Sequence, residues 1–432
     1  MRPALNHPSP STAPLFPVST PFAYDEGELH CEAVPLTAIA TTVGTPFYVY
    51  SQTEMLERAR AVTEAAQRVT DGQALVCYAV KANANPVLLR MLVEAGLGTD
   101  VTSGGELFLA RHAGVAPDKI IFSGVGKQAA EIAEAIASGI RAIHVESEME
   151  LAAVAEEAER LGLIAPVGVR VNPNISAATH PYISTGLHGH KFGVPRERAV
   201  AMLHFAASHP WLKPVGLAAH IGSQITDLDP FAQSVRFLVE LAEEMRGAGI
   251  TLEYIDAGGG LGIDYEQAAP DAAEWVCTIG SIVSNAGYGL VIEPGRSIIG
   301  RAGALVTRVV YTKEQGAKRF VITDAGMTDL IRPTLYQAYH PITPLIETTA
   351  LPETVDVVGP ICETSDFLAR DRSLPPLDKG DLLAVLHAGA YGYAMSSNYN
   401  GHLRPAEVLV AGDAWRIIRR RQTYEALLAG VE

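Results

Sequence analysis

The sequence predicts an α/β protein built as a (β/α)8 TIM barrel followed by a C-terminal β-barrel or sandwich domain. Three observations carry this reading. Between about residues 73 and 300, eight short β-rich runs alternate with alanine-rich helical stretches. Polar or glycine residues gather at the C-terminal end of each run. Beyond about residue 301 the helical periodicity fades and strand-like runs take over.

The eight runs are ALVCYAVKA (74–82), GTDVTS (98–103), KIIFSG (119–124), AIHVES (142–147), PVGVRVNP (166–173), PVGLAAHIG (214–222), TLEYIDAGGG (251–260) and GLVIEPGR (289–296). Segments such as AAEIAEAIASG and EMELAAVAEEAERLG lie between them, with apolar residues recurring at three and four, the amphipathic helix signature. Strands alternating with helices imply a parallel sheet with right-handed crossovers, and eight such units can close a barrel. A doubly wound open sheet is the rival, but no Gly-x-Gly-x-x-Gly follows the first run. Lys81, Asp100, Ser123, Glu146, Arg170 with Asn172, His220, Gly258 to Gly260, and Glu293 with Arg296 all fall at run ends. In a barrel those ends converge on one face, where active sites form.

The organisation that follows has four parts. Residues 1–24, rich in proline, read as a flexible tail and not as an export signal. Residues 25–51 form a strand segment, ending in FYVYS, that joins the β domain; 52–300 make the barrel and 301–432 the β domain. In the last part ALVTRVVYTKEQGAKRFVITDAG reads as a hairpin turning near Gln315-Gly316. TVDVVGPICE, DLLAVLHAGA and EVLVAGDAWRII are further strand candidates.

Composition removes whole classes of function. Lysine and arginine number 33 against 48 acidic residues, so no basic excess supports nucleic-acid binding. Arg419-Arg420-Arg421 reads as a solvated edge in preference to a phosphate patch. No window of about 18 apolar residues exists to span a membrane. Cys31, Cys77, Cys277 and Cys362 are widely spaced, which argues against a zinc site or disulfide framework and fits a reducing cytoplasm.

Taken singly, the candidate residues are ambiguous. Lys81 at a strand end could be a desolvated amine with a lowered pKa, ready to attack a carbonyl, or a lysine snorkelling to water. Gly258-Gly259-Gly260 could offer backbone N–H groups to a phosphate or simply be a turn. Glu293 could hold a pyridine nitrogen protonated and Arg296 could pair with an anion, or the two could cap the barrel as an ion pair. His220 could stack on a flat ring or be a core histidine. Together they fall on one face, and that constellation suits a phosphorylated aromatic aldehyde.

Tyr78-Ala79-Val80-Lys81-Ala82-Asn83, His220-Ile221-Gly222-Ser223-Gln224, Gly258-Gly259-Gly260 and Glu293-Pro294-Gly295-Arg296 resemble the alanine-racemase-like pyridoxal-phosphate enzymes. More narrowly they resemble the basic amino-acid decarboxylases, from about residue 45 to the end. Cys362-Glu363-Thr364-Ser365-Asp366, Arg332-Pro333-Thr334-Leu335-Tyr336, Lys191-Phe192-Gly193, Ala390-Tyr391-Gly392 and the terminal Arg419-Arg420-Arg421-Gln422-Thr423-Tyr424-Glu425 are similar to the diaminopimelate decarboxylase branch. The loop Leu187-His188-Gly189-His190 departs from that pattern.

The resemblance implies pyridoxal 5'-phosphate as cofactor, bound as a Schiff base on Lys81, with His220 on the ring and Glu293 at its nitrogen. It assigns the phosphate to Ser223, the run Gly258, Gly259 and Gly260, Gly295 with Arg296, and Tyr391. It assigns the retained substrate carboxylate to Arg296, Arg332, Tyr336 and Tyr391, the distant ammonium to Glu363 and protonation to Cys362. Asp100 and Arg170 are expected to orient His220 and the cofactor. The implied reaction converts meso-2,6-diaminopimelate to L-lysine and carbon dioxide, the last step of lysine biosynthesis, in a homodimer with shared active sites and no metal. Rivals are a decarboxylase of ornithine, arginine or carboxynorspermidine, a racemase, or a non-catalytic homologue that binds a partner.

Overall fold

The computed structural model describes residues 21–175, 191–266 and 268–432. The Leu187-His188-Gly189-His190 loop and the first part of the N-terminal tail lie outside the described residues. The described chain opens on three short antiparallel strands, β1 (Phe22–Asp25), β2 (Glu28–Cys31) and β3 (Val34–Pro35). β4 (Phe47–Ser51) follows.

Each of the eight β-rich runs then supplies one strand of a closed parallel barrel. They are β5 (Ala74–Ala79), β6 (Gly98–Val101), β7 (Ile120–Phe122), β8 (Ala142–Val145), β9 (Ala165–Arg170), β10 (Leu212–Ala218), β11 (Tyr254–Asp256) and β12 (Gly289–Ile292). Closure comes from β12 pairing with β5, Leu290 opposite Ala74.

A repeated local signal starts the helices. Ser51, Ser103 and Ser147 each accept a hydrogen bond from the backbone N–H of Glu54, Glu106 and Glu150, three residues on. A serine in this position satisfies an N–H that the helix leaves unpaired, worth about 1 kcal/mol. Glu106 and Glu150 reach back in turn and accept from the N–H of Thr102 and Glu146, fastening the strand-to-helix corner.

Alternation along each strand sorts the barrel residues. Val76, Phe122, Ile143, Val145, Val167, Val169, Ile255, Leu290 and Ile292 pack outward with the helices in the main core. Cys77, Ile121, Ala142, Val215, Tyr254 and Val291 form a separate apolar cluster inside. Gly168 and Gly216 leave room there: a Cβ on Gly168 would lie 2.5 Å from His144 Cδ2, and one on Gly216 2.4 Å from Tyr254 Cε2. The next inward positions toward the strand ends are Asp100, Ser123, His144, Arg170, Asp256 and Glu293, all buried. An apolar plug thus closes the barrel below a polar mouth.

The remaining strands are β13 (Gly303–Gln315), β14 (Lys318–Thr323), β15 (Ile342–Pro344), β16 (Glu353–Val358), β17 (Phe367–Leu374), β18 (Leu382–Val385), β19 (Ala406–Ala411) and β20 (Ala414–Arg419). They form a mixed sheet in which β4 is inserted, antiparallel to β13 and parallel to β19. β4 is buried on both faces. Phe47 and Val49 enter the β-domain core, while Tyr48 and Tyr50 pack into the core shared with the barrel.

The two domains meet along the segment that follows β5. Tyr391 N–H donates to Ala82 O (2.8 Å) and Asn83 Nδ2 donates to Gly389 O (3.3 Å). Asn85 Nδ2 donates to the fully buried Glu407 (2.9 Å), which also accepts from Tyr50 OH (2.8 Å) and ion-pairs with Arg419. The terminal arginine run is therefore more than a solvated edge. Arg419 is tied to Glu407, and Arg421 donates to Gly44 O (3.0 Å), because β20 folds back over the seam. Among the described residues no helix is long and apolar enough to cross a membrane.

Removing the Glu407 carboxylate leaves Tyr50 and Asn85 without their buried acceptor and Arg419 without its counter-ion. Glu407→Ala should lower unfolding stability by roughly 3 kcal/mol, the low end for breaking a buried pair, because Arg419 still reaches water. Urea titration of the cofactor-free protein measures this. A loss below about 1 kcal/mol, the net worth of one ordinary hydrogen bond, would show that the seam does not rely on this group.

Candidate active site

The polar mouth of the barrel and the inner side of the β domain enclose a cavity of about 390 Å³. Lys81, Ser123, His144, Arg170, His220, Ser223, Glu293 and Arg296 line it from the barrel, and Arg332, Tyr336 and Tyr391 from the β domain. Lys81 follows β5 directly, in a single turn of 3-10 helix, Val80–Ala82. Its Nζ lies 2.6 Å from Asp100 Oδ2, and its side chain is one-third exposed while Asp100 is fully buried. Burial pushes the Lys81 pKa down, but Asp100 and Glu293 more than reverse this and raise it above the usual lysine value. Of the two readings open for Lys81, the depressed amine is therefore not the one the protein alone favours, because the carboxylates beneath outweigh desolvation.

Those carboxylates do not stand alone. Glu293 accepts from Ser123 Oγ (3.2 Å). Asp256 accepts from Gly258 N–H (2.8 Å). His144, Asp256 and Glu293 approach one another to within 4.8 Å and all three are buried. Burial drives both carboxyls up, Asp256 to about 7; Asp100 raises both and Asp256 raises Glu293, whereas a hydrogen bond with Glu293 lowers Asp256. Two like charges this close share a proton at neutral pH. His144 is pushed down to about 3 by burial and by Lys127 and Arg170, so it is neutral. Its Nε2 lies 2.9 Å from Tyr254 OH.

His220 is also held neutral, its pKa lowered by burial, Arg170 and Lys81. Its Nδ1 is 3.2 Å from Gly259 N–H and must accept there, which places the ring proton on Nε2. Asp100 is placed on Lys81. Arg170 pairs with Glu146 (3.0 Å) and lies over the Phe192 ring (4.9 Å).

The glycine run is required, though partly for a reason other than the expected one. Cβ atoms at Gly258, Gly259 and Gly260 would fall 2.5, 2.1 and 2.1 Å from the carbonyl oxygens of Ala219, Glu293 and Gly222. Gly258 and Gly260 also have φ of +67° and +102°. The loops after β10, β11 and β12 approach too closely for any side chain. Gly258 and Gly259 spend their N–H groups on Asp256 and His220.

On the opposite wall, Arg296 Nη2 donates to Ser223 Oγ (2.8 Å) and Nη1 to Tyr265 OH (2.8 Å). Arg332 Nη1 donates to the same Tyr265 oxygen (2.9 Å) and to His340 Nε2 (2.6 Å). Tyr391 stacks under the Arg296 guanidinium at 4.9 Å and has a φ of +56°, uncommon for a residue with a side chain. Cys362 and Glu363 are not at the cavity. They are exposed on the loop between β16 and β17, where Cys362 N–H donates to Asn400 (2.9 Å) and Glu363 accepts from Tyr399 OH (2.7 Å). Asp366 pins the loop's base by accepting from Ile361 and Met327 N–H, both at 2.6 Å.

Five residues of this site were missed by sequence reasoning. Asp256 and His144 are inward positions of β11 and β8, and strand alternation alone could have found them. Tyr265 lies in an irregular loop and His340 just before a short strand, with no pattern to mark them. Lys127, which donates to Gly124 O (2.5 Å), His144 O (2.7 Å) and Glu150 (2.8 Å), resembles any helix-proximal lysine in sequence.

Residues 50–300 match the family of pyridoxal-dependent decarboxylases, in its pyridoxal binding domain. The diaminopimelate decarboxylase of Aquifex aeolicus is 46% identical over 408 residues, covering 94% of this chain and 96% of that one. The crystal structure of the M. jannaschii diaminopimelate decarboxylase in complex with L-lysine superposes with a TM-score of 0.91 at 37% identity, covering 95% and 97% of the two chains. The Helicobacter pylori enzyme with L-lysine gives 0.86 at 39%, covering 91% and 98%.

The cavity fits such a cofactor on its own terms. It offers a reachable primary amine, a neutral ring beside it, a carboxyl with raised pKa on its floor, and an arginine with a serine hydroxyl at its rim. The buried Arg296 Nε, without a hydrogen-bond partner among the described residues, adds donor capacity at that rim. The chain belongs to the pyridoxal-dependent decarboxylases and, within them, to the diaminopimelate decarboxylases.

Proposed function

We propose that this protein decarboxylates meso-2,6-diaminopimelate to L-lysine, using pyridoxal phosphate held on Lys81. The observation that carries the reading is one cavity with the Lys81 amine above buried carboxyls on one side and the Arg296–Arg332 pair on the other. Relatives that share the fold have been crystallised with L-lysine. Such a molecule keeps one carboxylate, and two arginines suit it by charge and by geometry. When bound, the cofactor supplies an electron sink for the pair left at Cα as carbon dioxide departs.

The chain's own residues prepare that event. Lys81 Nζ would hold the aldehyde carbon, passing its extra proton toward Asp100 or solvent. His220 would lie against the ring, and Glu293, kept protonated by its buried neighbours, would face the ring nitrogen. Ser223, Gly260, the Gly295–Arg296 backbone and Tyr391 would hold the phosphate. Arg332, Tyr336 and Arg296 would hold the retained carboxylate, whose position fixes which carboxylate is lost. Cys362 Sγ would deliver a proton to Cα, and Glu363 would hold the distal ammonium.

The last two roles require a second chain. Cys362 and Glu363 are exposed and away from their own cavity, on a loop fastened at its base by Asp366 and at its apex by Asn400 and Tyr399. A loop so held presents its thiol and carboxylate outward. A two-fold dimer in which each loop enters the partner's cavity completes two equivalent sites. The four free cysteines, two of them buried, fit a reducing cytoplasm.

Loaded with cofactor, the protein should absorb visible light, and Lys81→Ala should lose both that band and nearly all activity. A cofactor-linked peptide around another lysine would refute the assignment.

Turnover of meso-diaminopimelate should far exceed that of ornithine, arginine or lysine. None of these has a distal carboxylate, so each leaves buried Arg332 uncompensated at a cost of several kcal/mol, roughly 100-fold or more in kcat/KM. Comparable ornithine turnover would instead identify a polyamine-pathway enzyme.

Inactive Lys81→Ala and inactive Cys362→Ala proteins, mixed under subunit exchange, should recover activity. Half of the dimers formed from equal amounts are mixed, and each has one intact site of two, giving about a quarter of wild-type activity. A mixture that stays inactive although exchange is demonstrated by mass spectrometry would place Cys362 in its own chain's site.

A further inference from the structure

We propose that Tyr265, which does not line the cavity, is a positioning residue for carboxylate recognition, its phenol oxygen holding Arg296 and Arg332 side by side. This rests on the reading that these arginines bind the carboxylate kept in the product. Two guanidinium cations brought to one spot repel each other, and in a buried site that repulsion is poorly screened. Tyr265 answers it with a shared acceptor, taking an N–H from Arg296 at 2.8 Å and from Arg332 at 2.9 Å. Its ring lies below both, 5.8 Å from Arg296 Cζ and 4.8 Å from Arg332 Cζ, where the aromatic face attracts cations.

His340 completes the clamp. Its Nδ1 lies 2.9 Å from Leu386 O and must donate there, so Nε2 is left to accept from Arg332 Nη1 at 2.6 Å. Burial and the neighbouring Arg332 keep this imidazole neutral. Arg332 Nη1 thus spends both hydrogens on protein acceptors, which fixes the plane of the guanidinium before any ligand arrives. The arginines also work on Tyr265. Burial raises its pKa, yet Arg296 and Arg332 outweigh burial and bring it below the usual phenol value. The shift reports the same contacts from the tyrosine's side: both arginines favour negative charge on its oxygen.

Preorganisation of this kind should favour ligands that present a carboxylate and leave other ligands unaffected. Calorimetric titration of the cofactor-loaded dimer with L-lysine and with 1,5-diaminopentane, its analogue lacking the carboxylate, separates the two. Tyr265→Phe removes only the oxygen and keeps the ring that packs edge-on to His340 at 5.1 Å. It should weaken L-lysine by roughly tenfold or more, as expected for hydrogen bonds to charged groups, and change the diamine by less than about twofold. Unchanged L-lysine affinity, or an equal loss for both ligands, would overturn the positioning role. A wild-type protein that does not distinguish L-lysine from the diamine would instead overturn the carboxylate-binding reading itself. Should the variant fail to fold, His340→Leu withdraws the other acceptor from Arg332, and the same comparison decides.

Discussion

The contact between Lys81 and Asp100 is the constraint around which this active site is arranged. A carboxylate with no exposure needs a positive partner, and the barrel provides one amine for three buried acids: Asp100, Asp256 and Glu293. Arg170 adds positive charge from β9, yet it is already paired with Glu146. The acids therefore cannot all be ionised. The burden falls on the Asp256–Glu293 pair, which burial pushes toward the protonated form. A proton stored at Glu293 is what a buried, basic ring nitrogen would meet. The ionised Asp100 keeps Lys81 charged while it is unengaged, which holds the amine until a reaction partner displaces the ion pair.

That arrangement is positioned by the seam between the domains. Lys81 belongs to a short irregular segment, and such segments do not hold a side chain accurately by themselves. Here Ala82 O, Asn83 and Asn85 are each bound from the β domain, through Tyr391 N–H, Gly389 O and Glu407. Tyr391 binds this segment through its backbone and the cavity through its side chain. Its left-handed conformation is the strain that lets one residue do both. Because β4 enters the β sheet before the barrel begins, chain continuity at both ends of the barrel reinforces the docking. The Lys81 amine and the cavity-lining arginines are consequently held in one frame.

The sequence made the barrel legible because its signal is periodic and repeated eight times. β-rich runs, amphipathic helical stretches between them, and polar run ends all pointed to one architecture. The cavity residues at run ends were legible for the same reason. Other features depended on approach in three dimensions. The carboxylates under Lys81 come from β6, β11 and β12, so the sign of its pKa shift could not be read from its neighbours in sequence. Tyr265 meets Arg296 and Arg332 from an irregular loop, where no periodicity marks which side chain turns inward. The arginine run looked solvated because Glu407, its buried counter-charge, lies on the adjacent strand of a hairpin whose register was not readable.

Charge within the cavity also settles how an acidic protein can select its ligand. The chain has a formal charge of -15, which at first sight opposes a substrate bearing two carboxylates. The proposed substrate also has two ammonium groups and is neutral overall, so the field of the whole molecule exerts no net pull on it. Surface charge is in any case screened over about 8 Å at physiological salt. Discrimination has to be made inside, where screening is weak and charges are held at fixed points. The cavity separates them: acids and the Lys81 amine on the barrel floor, two arginines on the far wall. A ligand with matching separation gains at both ends, whereas one lacking a carboxylate leaves a cation facing nothing. Tyr265 and His340, both outside the cavity, offer acceptors to these arginines and so offset the repulsion between them. On the proposed reading, selectivity would depend in part on residues that never meet the ligand.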